Sequence, residues 1–158
     1  MATVSQRLAE LGIVLPAAPA AVGAYVPVLR FGNVVVTSGQ LPWQGNQLAY
    51  TGQLGKTLTV EQGYAAARLC AINALAQIQA AVGNLDAVKQ ILRLEGYVHC
   101  APDFRQQPQV LNGASELLNQ IFGDKGRHTR TALGIHAMPL DAAVQLVVWA
   151  EVESSPAG

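Results

Sequence analysis

The chain has 158 residues, and ten Lys and Arg side chains balance ten Asp and Glu for a formal net charge of zero. Hydrophobic residues make up 51% and charged residues only 13%, against roughly 25% charged in an average soluble protein. This composition excludes disorder and offers no basic run for gripping phosphate backbones; it fits one domain whose surface is partly buried against copies of itself.

The N-terminal segment VSQRLAELG at 4–12 reads as a short helix, with Val4, Leu8 and Leu11 on one stripe and Gly12 as its stop. A Pro/Ala linker at 15–23 cannot continue it. Arg7 and Glu10 interrupt any signal-peptide core, and no uninterrupted apolar run approaches the ~18–20 residues of a membrane span. Cys70 and Cys100 do not make a disulfide framework. A cytoplasmic protein without a membrane partner is the expectation.

Two β-branched runs flank Gly32-Asn33, which predicts a hairpin with strands at about 25–30 and 33–38. A short strand is expected near 47–50. Ala71, Ile72, Leu75, Ile78 and Val82 recur at helical spacing, predicting a helix over 60–82 that ends at Gly83-Asn84. Thr59 and Gln62 have the spacing of a capping box at its start. Residues 91–99 read as a strand interrupted at Gly96, and 108–122 as a second amphipathic helix. Strands at 129–136 and 143–152 close the chain. The order ββ(β)-α-β-α-ββ predicts an α+β domain, a single sheet with both long helices on one face. Leu146, Val148 and Val152 would then share one face of the last strand, and Val147 and Trp149 the other. A second apolar face of this kind calls for burial between subunits.

Few residues invite chemistry. Alternation places Arg130, Ala132, Gly134 and His136 on one face of their strand. A guanidinium among small residues suits a bidentate carboxylate clamp, while a structural ion pair with a carboxylate is the alternative. Ser38-Gly39-Gln40 ends a strand with a hydroxyl and backbone N–H groups, and a plain turn explains it equally well. His99 and Cys100 point to opposite faces and do not form a nucleophile–base pair. His99, His128, His136 and the two cysteines lack metal-ligand spacing, and no glycine-rich phosphate loop is present. Neither a metal nor an organic cofactor is expected. Asp103 and Glu116 read as solvated surface groups, and Phe31, Trp43 and Trp149 as core or interface aromatics.

The run Gly32-Asn33-Val34-Val35-Val36-Thr37-Ser38-Gly39-Gln40-Leu41-Pro42 resembles the opening signature of the YjgF/Rid family, also called endoribonuclease L-PSP or reactive-intermediate deaminases. Tyr25 before the hairpin, Asn112 in the second helix, Arg130-Thr131-Ala132 and Met138-Pro139-Leu140-Asp141 stand in register with that family's motifs. The resemblance runs from about Val22 to Val152, and the longer N-terminus is similar to a poorly defined subgroup. It implies three segments: an N-terminal extension over 1–21, a Rid-like domain over 22–153 and a tail over 154–158. It also implies a chorismate-mutase-like fold and a homotrimer with pockets between subunits. The reaction it implies is hydrolysis of 2-imino acids, or their enamine tautomers, to 2-oxo acids and ammonia. By position, Arg130 would clamp the substrate carboxylate, and Tyr25, Ser38, Gly39 and Asn112 would line the pocket.

Two positions depart from the family pattern. Ala132 replaces a cysteine, and Gln145 stands where deaminase members carry a water-directing glutamate. An amide orients a water but cannot take its proton, and general-base help is typically worth about 10²–10⁴ in rate. Glu151 and Glu153 share strand parity with Gln145 but begin about 20 Å of strand away. A non-catalytic trimer binding a small carboxylate is therefore the alternative to an imine hydrolase. RNA cleavage ranks last, for want of a basic patch or an acid–base pair.

Overall fold

Gly32 adopts φ 58° and turns β1 (Val28–Phe31) into β2 (Val34–Thr37), with Phe31 opposite Val34. The computed structural model describes residues 1–155. Of the tail expected at 154–158, residues 156–158 lie outside that range and 154–155 are irregular. β5 (Val88–His99), β6 (Thr129–Ile135) and β7 (Val144–Val152) complete a five-stranded mixed sheet of order β1-β2-β7-β5-β6. Every pairing is antiparallel except β5 with β6.

α2 (Val60–Val82) and α3 (Gln107–Phe122) cover one face of this sheet. The capping box forms as the spacing requires: the Gln62 amide donates to Thr59 Oγ1 at 3.2 Å, and the Thr59 amide donates to Gln62 Oε1 at 2.9 Å. α2 is long and apolar enough to pass as a membrane span, yet Ala67, Cys70, Ala71, Ala74, Leu75 and Ile78 are fully buried against the sheet and α3. Its apolarity is that of a core helix. Gly113 lets the two helices meet, because a side chain there would collide with the Tyr64 carbonyl. α1 (Val4–Glu10) packs beside α3, burying Leu8 in the same core, and the Val4 amide donates to Asp86 Oδ1 at 2.8 Å.

Three expectations need correction. β1 begins at Val28 because Pro27 has no N–H for the ladder, although its carbonyl still accepts from the Ser38 amide at 2.8 Å. The short strand near 47–50 is half of a separate two-stranded hairpin, β3 (Trp43–Gln44) with β4 (Gln47–Leu48), turned at Gly45. Gly96 does not interrupt β5, which starts at Val88 rather than 91. Gly96 pairs with Ala132 on one side and Leu146 on the other, and its missing side chain makes room for Leu111 of α3.

β7 alternates as its sequence implies: Val144, Leu146, Val148, Ala150 and Val152 are buried, while Gln145, Val147, Trp149 and Glu151 face away from the helices. With them on that uncovered face are Leu29, Phe31 and Leu133, each about half exposed. Phe31 meets Trp149 edge-on at a centroid distance of 6.4 Å.

Candidate functional site

Where β2 ends and β7 begins, the chain forms a cleft of about 510 Å³. Its floor is Ser38, Gly39 and Gln145, and one wall is the extended segment from Pro19 through Val22 to Tyr25; Leu41, Trp43 and Pro139 complete it. Gly39 is required by packing: a Cβ there would lie 2.6 Å from Gln145 Oε1, so only a bare backbone leaves the Gln145 amide in the floor. The cleft is shaped and uncharged, and Tyr25 is its only titratable side chain.

Three buried amides hold its walls. Asn73 of α2 donates from Nδ2 to the carbonyls of Leu41 at 3.0 Å and Trp43 at 3.1 Å. One turn later Gln77, only 1% exposed, donates from Nε2 to the Pro19 carbonyl at 2.6 Å and to Gln40 Oε1 at 3.5 Å. Gln40 in turn donates from Nε2 to the Ser38 carbonyl at 3.3 Å and to Ser38 Oγ at 3.2 Å. Carbonyls only accept, so Pro19 and Ser38 fix which end of each amide is nitrogen. Ser38 Oγ is thereby an acceptor toward Gln40, and its own proton is available to the cleft.

Arg130 sits elsewhere. Its Nη1 donates to Asn112 Oδ1 at 2.9 Å and to Ser115 Oγ at 3.1 Å, and its Nη2 to the Pro108 carbonyl at 3.4 Å. Positions 108, 112 and 115 recur at helical spacing, so one face of α3 presents three oxygens to one guanidinium. Among the described residues the alternative of a structural ion pair is not formed: every Arg130 hydrogen-bond partner there is a neutral oxygen. Burial lowers the Arg130 pKa somewhat, and the group stays charged. Beside it lies a shallow depression of about 290 Å³ lined by Ser115, Asn119, Arg127, His128 and Arg130. His128 Nδ1 is 2.6 Å from the Gly126 carbonyl and must carry the proton; Nε2 is then the lone-pair nitrogen, 2.9 Å from Ser115 Oγ. Burial pulls the His128 pKa below its ordinary value, the Gly126 hydrogen bond opposes this, and the Arg130 charge adds to the lowering.

Of the residues singled out from the sequence, Tyr25, Ser38, Gly39 and Gln145 come together in the cleft. Arg130 and Asn112 come together elsewhere. The sheet keeps the two groups apart. Gln145 is paired through Tyr97 with Leu133 on the uncovered face, whereas Arg130 reaches the helix face. Gln77 and Ser115 do not stand out in the sequence, and His128 does so only as a candidate metal ligand, not as a partner of Ser115. The available signals were a buried amide one turn from Asn73 in an apolar helix, and the 108–112–115 spacing opposite the Arg130 strand. His99 and Cys100 diverge as expected: His99 Nδ1 lies 3.5 Å from Asp141 Oδ1, and Cys100 Sγ lies 3.7 Å from Gln107 Nε2. Glu116 is not simply solvated, since it accepts a hydrogen bond from the Tyr64 hydroxyl and raises the Tyr64 pKa.

Solved structures share this fold over nearly the whole chain, and a sequence relative matches it over a similar length. Protein TCP17 of Trypanosoma cruzi is 43% identical over 152 residues, covering 96% of this chain and 95% of its own. A solved structure from Shewanella oneidensis, described as a "putative endoribonuclease", superposes with a TM-score of 0.93 at 42% identity, covering 96% of this chain and 100% of that one. A protein of unknown function from Agrobacterium tumefaciens gives a TM-score of 0.89 at 39% identity, covering 95% and 92%. The family model for YjgF/chorismate mutase-like proteins matches residues 5–152, nearly the entire domain, and the chain belongs to the YjgF/Rid family.

Proposed function

We infer that the protein binds a small carboxylate metabolite between subunits of a homotrimer and hydrolyses its 2-imino or enamine form to a 2-oxo acid and ammonia. One observation carries this reading: a half-buried Arg130 guanidinium held by neutral oxygens, with no carboxylate among the described residues neutralising it. Such a group is poised for an anionic ligand. The trimer is supported by the division of the candidate residues. Arg130 with Asn112, and the cleft with Tyr25, Ser38, Gly39 and Gln145, lie on opposite faces of one sheet, so one copy's arginine would complete its neighbour's cleft. The exposed Leu29, Phe31 and Leu133 give the assembly an apolar face to bury. Two free, buried cysteines agree with a cytoplasmic setting.

A second reading, a carboxylate-binding trimer without chemistry, is favoured by the cleft floor, where Gln145 offers an amide and no base. The deciding experiment generates 2-iminobutanoate with an amino-acid oxidase and records 2-oxobutanoate release above the spontaneous rate. Acceleration that disappears in Arg130→Ala is the expected result. A silent wild type that still binds 2-oxobutanoate through Arg130 establishes the binding protein instead. Sedimentation at the mass of a dimer or monomer would end the trimer proposal.

A further inference from the structure

The imine-hydrolase reading needs a proton acceptor, and the cleft floor does not provide one. Beside Arg130 the chain has one built in. We propose that His128, acting through the Ser115 hydroxyl, is the general base that the amide of Gln145 cannot be.

The geometry is that of an oriented acid–base pair. The Gly126 carbonyl takes the Nδ1 proton at 2.6 Å and so aims the unprotonated Nε2 at Ser115 Oγ, 2.9 Å away. Ser115 donates its proton to Nε2 while its oxygen accepts from Arg130 Nη1 at 3.1 Å. The guanidinium thereby stabilises negative charge developing on that oxygen, and it is the same group that would hold the substrate carboxylate. In a 2-imino acid the carbon under attack is bonded directly to that carboxylate, so a ligand seated on Arg130 brings its reacting carbon next to Ser115. The pair opens onto a depression of about 290 Å³ rather than into the core. The charged groups facing it are Arg127 and Arg130, and the Arg130 charge disfavours a protonated imidazole. The lowered His128 pKa agrees with a base that is free at neutral pH.

The proton path balances. As water oxygen bonds to the carbon of a protonated imine, the C=N π pair moves to nitrogen. A water proton passes to Ser115 Oγ, and the Ser115 proton passes to His128 Nε2. The resulting carbinolamine nitrogen then takes a proton back along the same path. The C–N bond breaks, the hydroxyl proton leaves with the departing ammonia, and 2-oxo acid, ammonium and neutral His128 remain.

This inference rests on the imine-hydrolase reading and is tested so that the two fail separately. Oxo-acid release from oxidase-generated 2-iminobutanoate is measured for wild type, His128→Gln, Ser115→Ala and Arg130→Ala between pH 5 and 8.5. His128→Gln should lower kcat about 100-fold with KM within about twofold, in line with loss of a general base. It should also abolish the acid limb of the pH profile and regain rate with added imidazole. Ser115→Ala should lose a similar factor without imidazole rescue. Binding of 2-oxobutanoate, which needs Arg130 but no base, reports that His128→Gln and Ser115→Ala are folded, and an unchanged melting temperature reports it for Arg130→Ala. Wild-type rate and an unchanged pH limb in His128→Gln would overturn the proposal while leaving an Arg130-dependent hydrolase. A wild type that binds 2-oxobutanoate but releases nothing from the imine would overturn both.

Discussion

The cleft around Gly39 and the cluster around Arg130, the two parts of the proposed site, differ in what each supplies. The cleft has volume, about 510 Å³, and walls pinned from beneath by amides of α2, but no charge. The Arg130 cluster has charge and a titratable pair, but only a shallow hollow of about 290 Å³. Each is unusual for its missing part. In the proposed trimer, a guanidinium with no carboxylate partner among the described residues and an uncharged, polar-floored cleft would be the two sides of one site. Shape resides where the interior strands β2 and β7 meet, and electrostatics on the edge strand β6. Substitutions should therefore separate cleanly into those that alter affinity for charge and those that alter the walls.

The largest effect is expected at the charged half. Arg130→Ala removes every charge-assisted hydrogen bond a carboxylate ligand could make there, each worth about 1.5–3 kcal/mol. Binding of 2-oxobutanoate should fall about 10- to 100-fold by calorimetry. Thermal stability should change little, because the oxygens released on Asn112, Ser115 and Pro108 are not sealed in the core. Arg130→Lys keeps the charge but not the fork, and should recover only part of the affinity. Full recovery would show that the site reads charge alone.

Next comes a wall. Gln77→Met keeps the volume of a side chain that is 1% exposed but leaves the Pro19 carbonyl and Gln40 Oε1 without their donor. Unsatisfied groups of this kind cost about 1–3 kcal/mol. The melting temperature should drop by several degrees, and amide exchange should rise along residues 19–25. Unchanged exchange there would show that the segment is held by packing and not by the amide. Gly39→Ala is a smaller disturbance. The side chain it displaces is the flexible end of Gln145, so stability should fall by about 1 kcal/mol or less. The cleft floor would nevertheless change, and ligand affinity should fall more than stability does.

These contrasts also explain what could be read from the sequence. Helix α2 was legible from end to end because Thr59 and Gln62 cap one end, Gly83 stops the other, and 23 residues leave room for a period to show. The β3–β4 hairpin was half legible: a short strand is expected where β4 lies, but its partner β3 is two residues long and carries no alternation. Alternation gave the parity of Arg130 correctly but not its side of the sheet relative to Gln145. That relation depends on register carried through Tyr97 in β5, a non-local pairing that one strand's residues cannot reveal. Gln77 was hidden for a different reason. A glutamine in a helix normally reads as solvent-facing, and only the burial of its neighbours turns it into an anchor for Pro19.

The smallest expected effect isolates the charged half by pH. The folded His128 imidazole has its pKa below the ordinary value, chiefly because burial penalises the cation, so as acid is added the unfolded chain takes up this proton first. The contribution is absent above about pH 6.5, where neither state is protonated. Stability is then lost as the pH falls below that value, until the folded group is protonated too. His128 is only half-buried, so the loss is small after allowance for screening. His128→Gln should therefore lose less melting temperature between pH 7.5 and 5.0 than the wild type does. Gln77→Met, whose change lies in a wall where no ionising group was removed, should show the wild-type drop on top of its own lower stability. If His128→Gln instead falls more steeply than wild type, the folded imidazole holds its proton more tightly than the unfolded one. It would then belong with Arg130 as a second cation for the ligand rather than with Ser115 as a base.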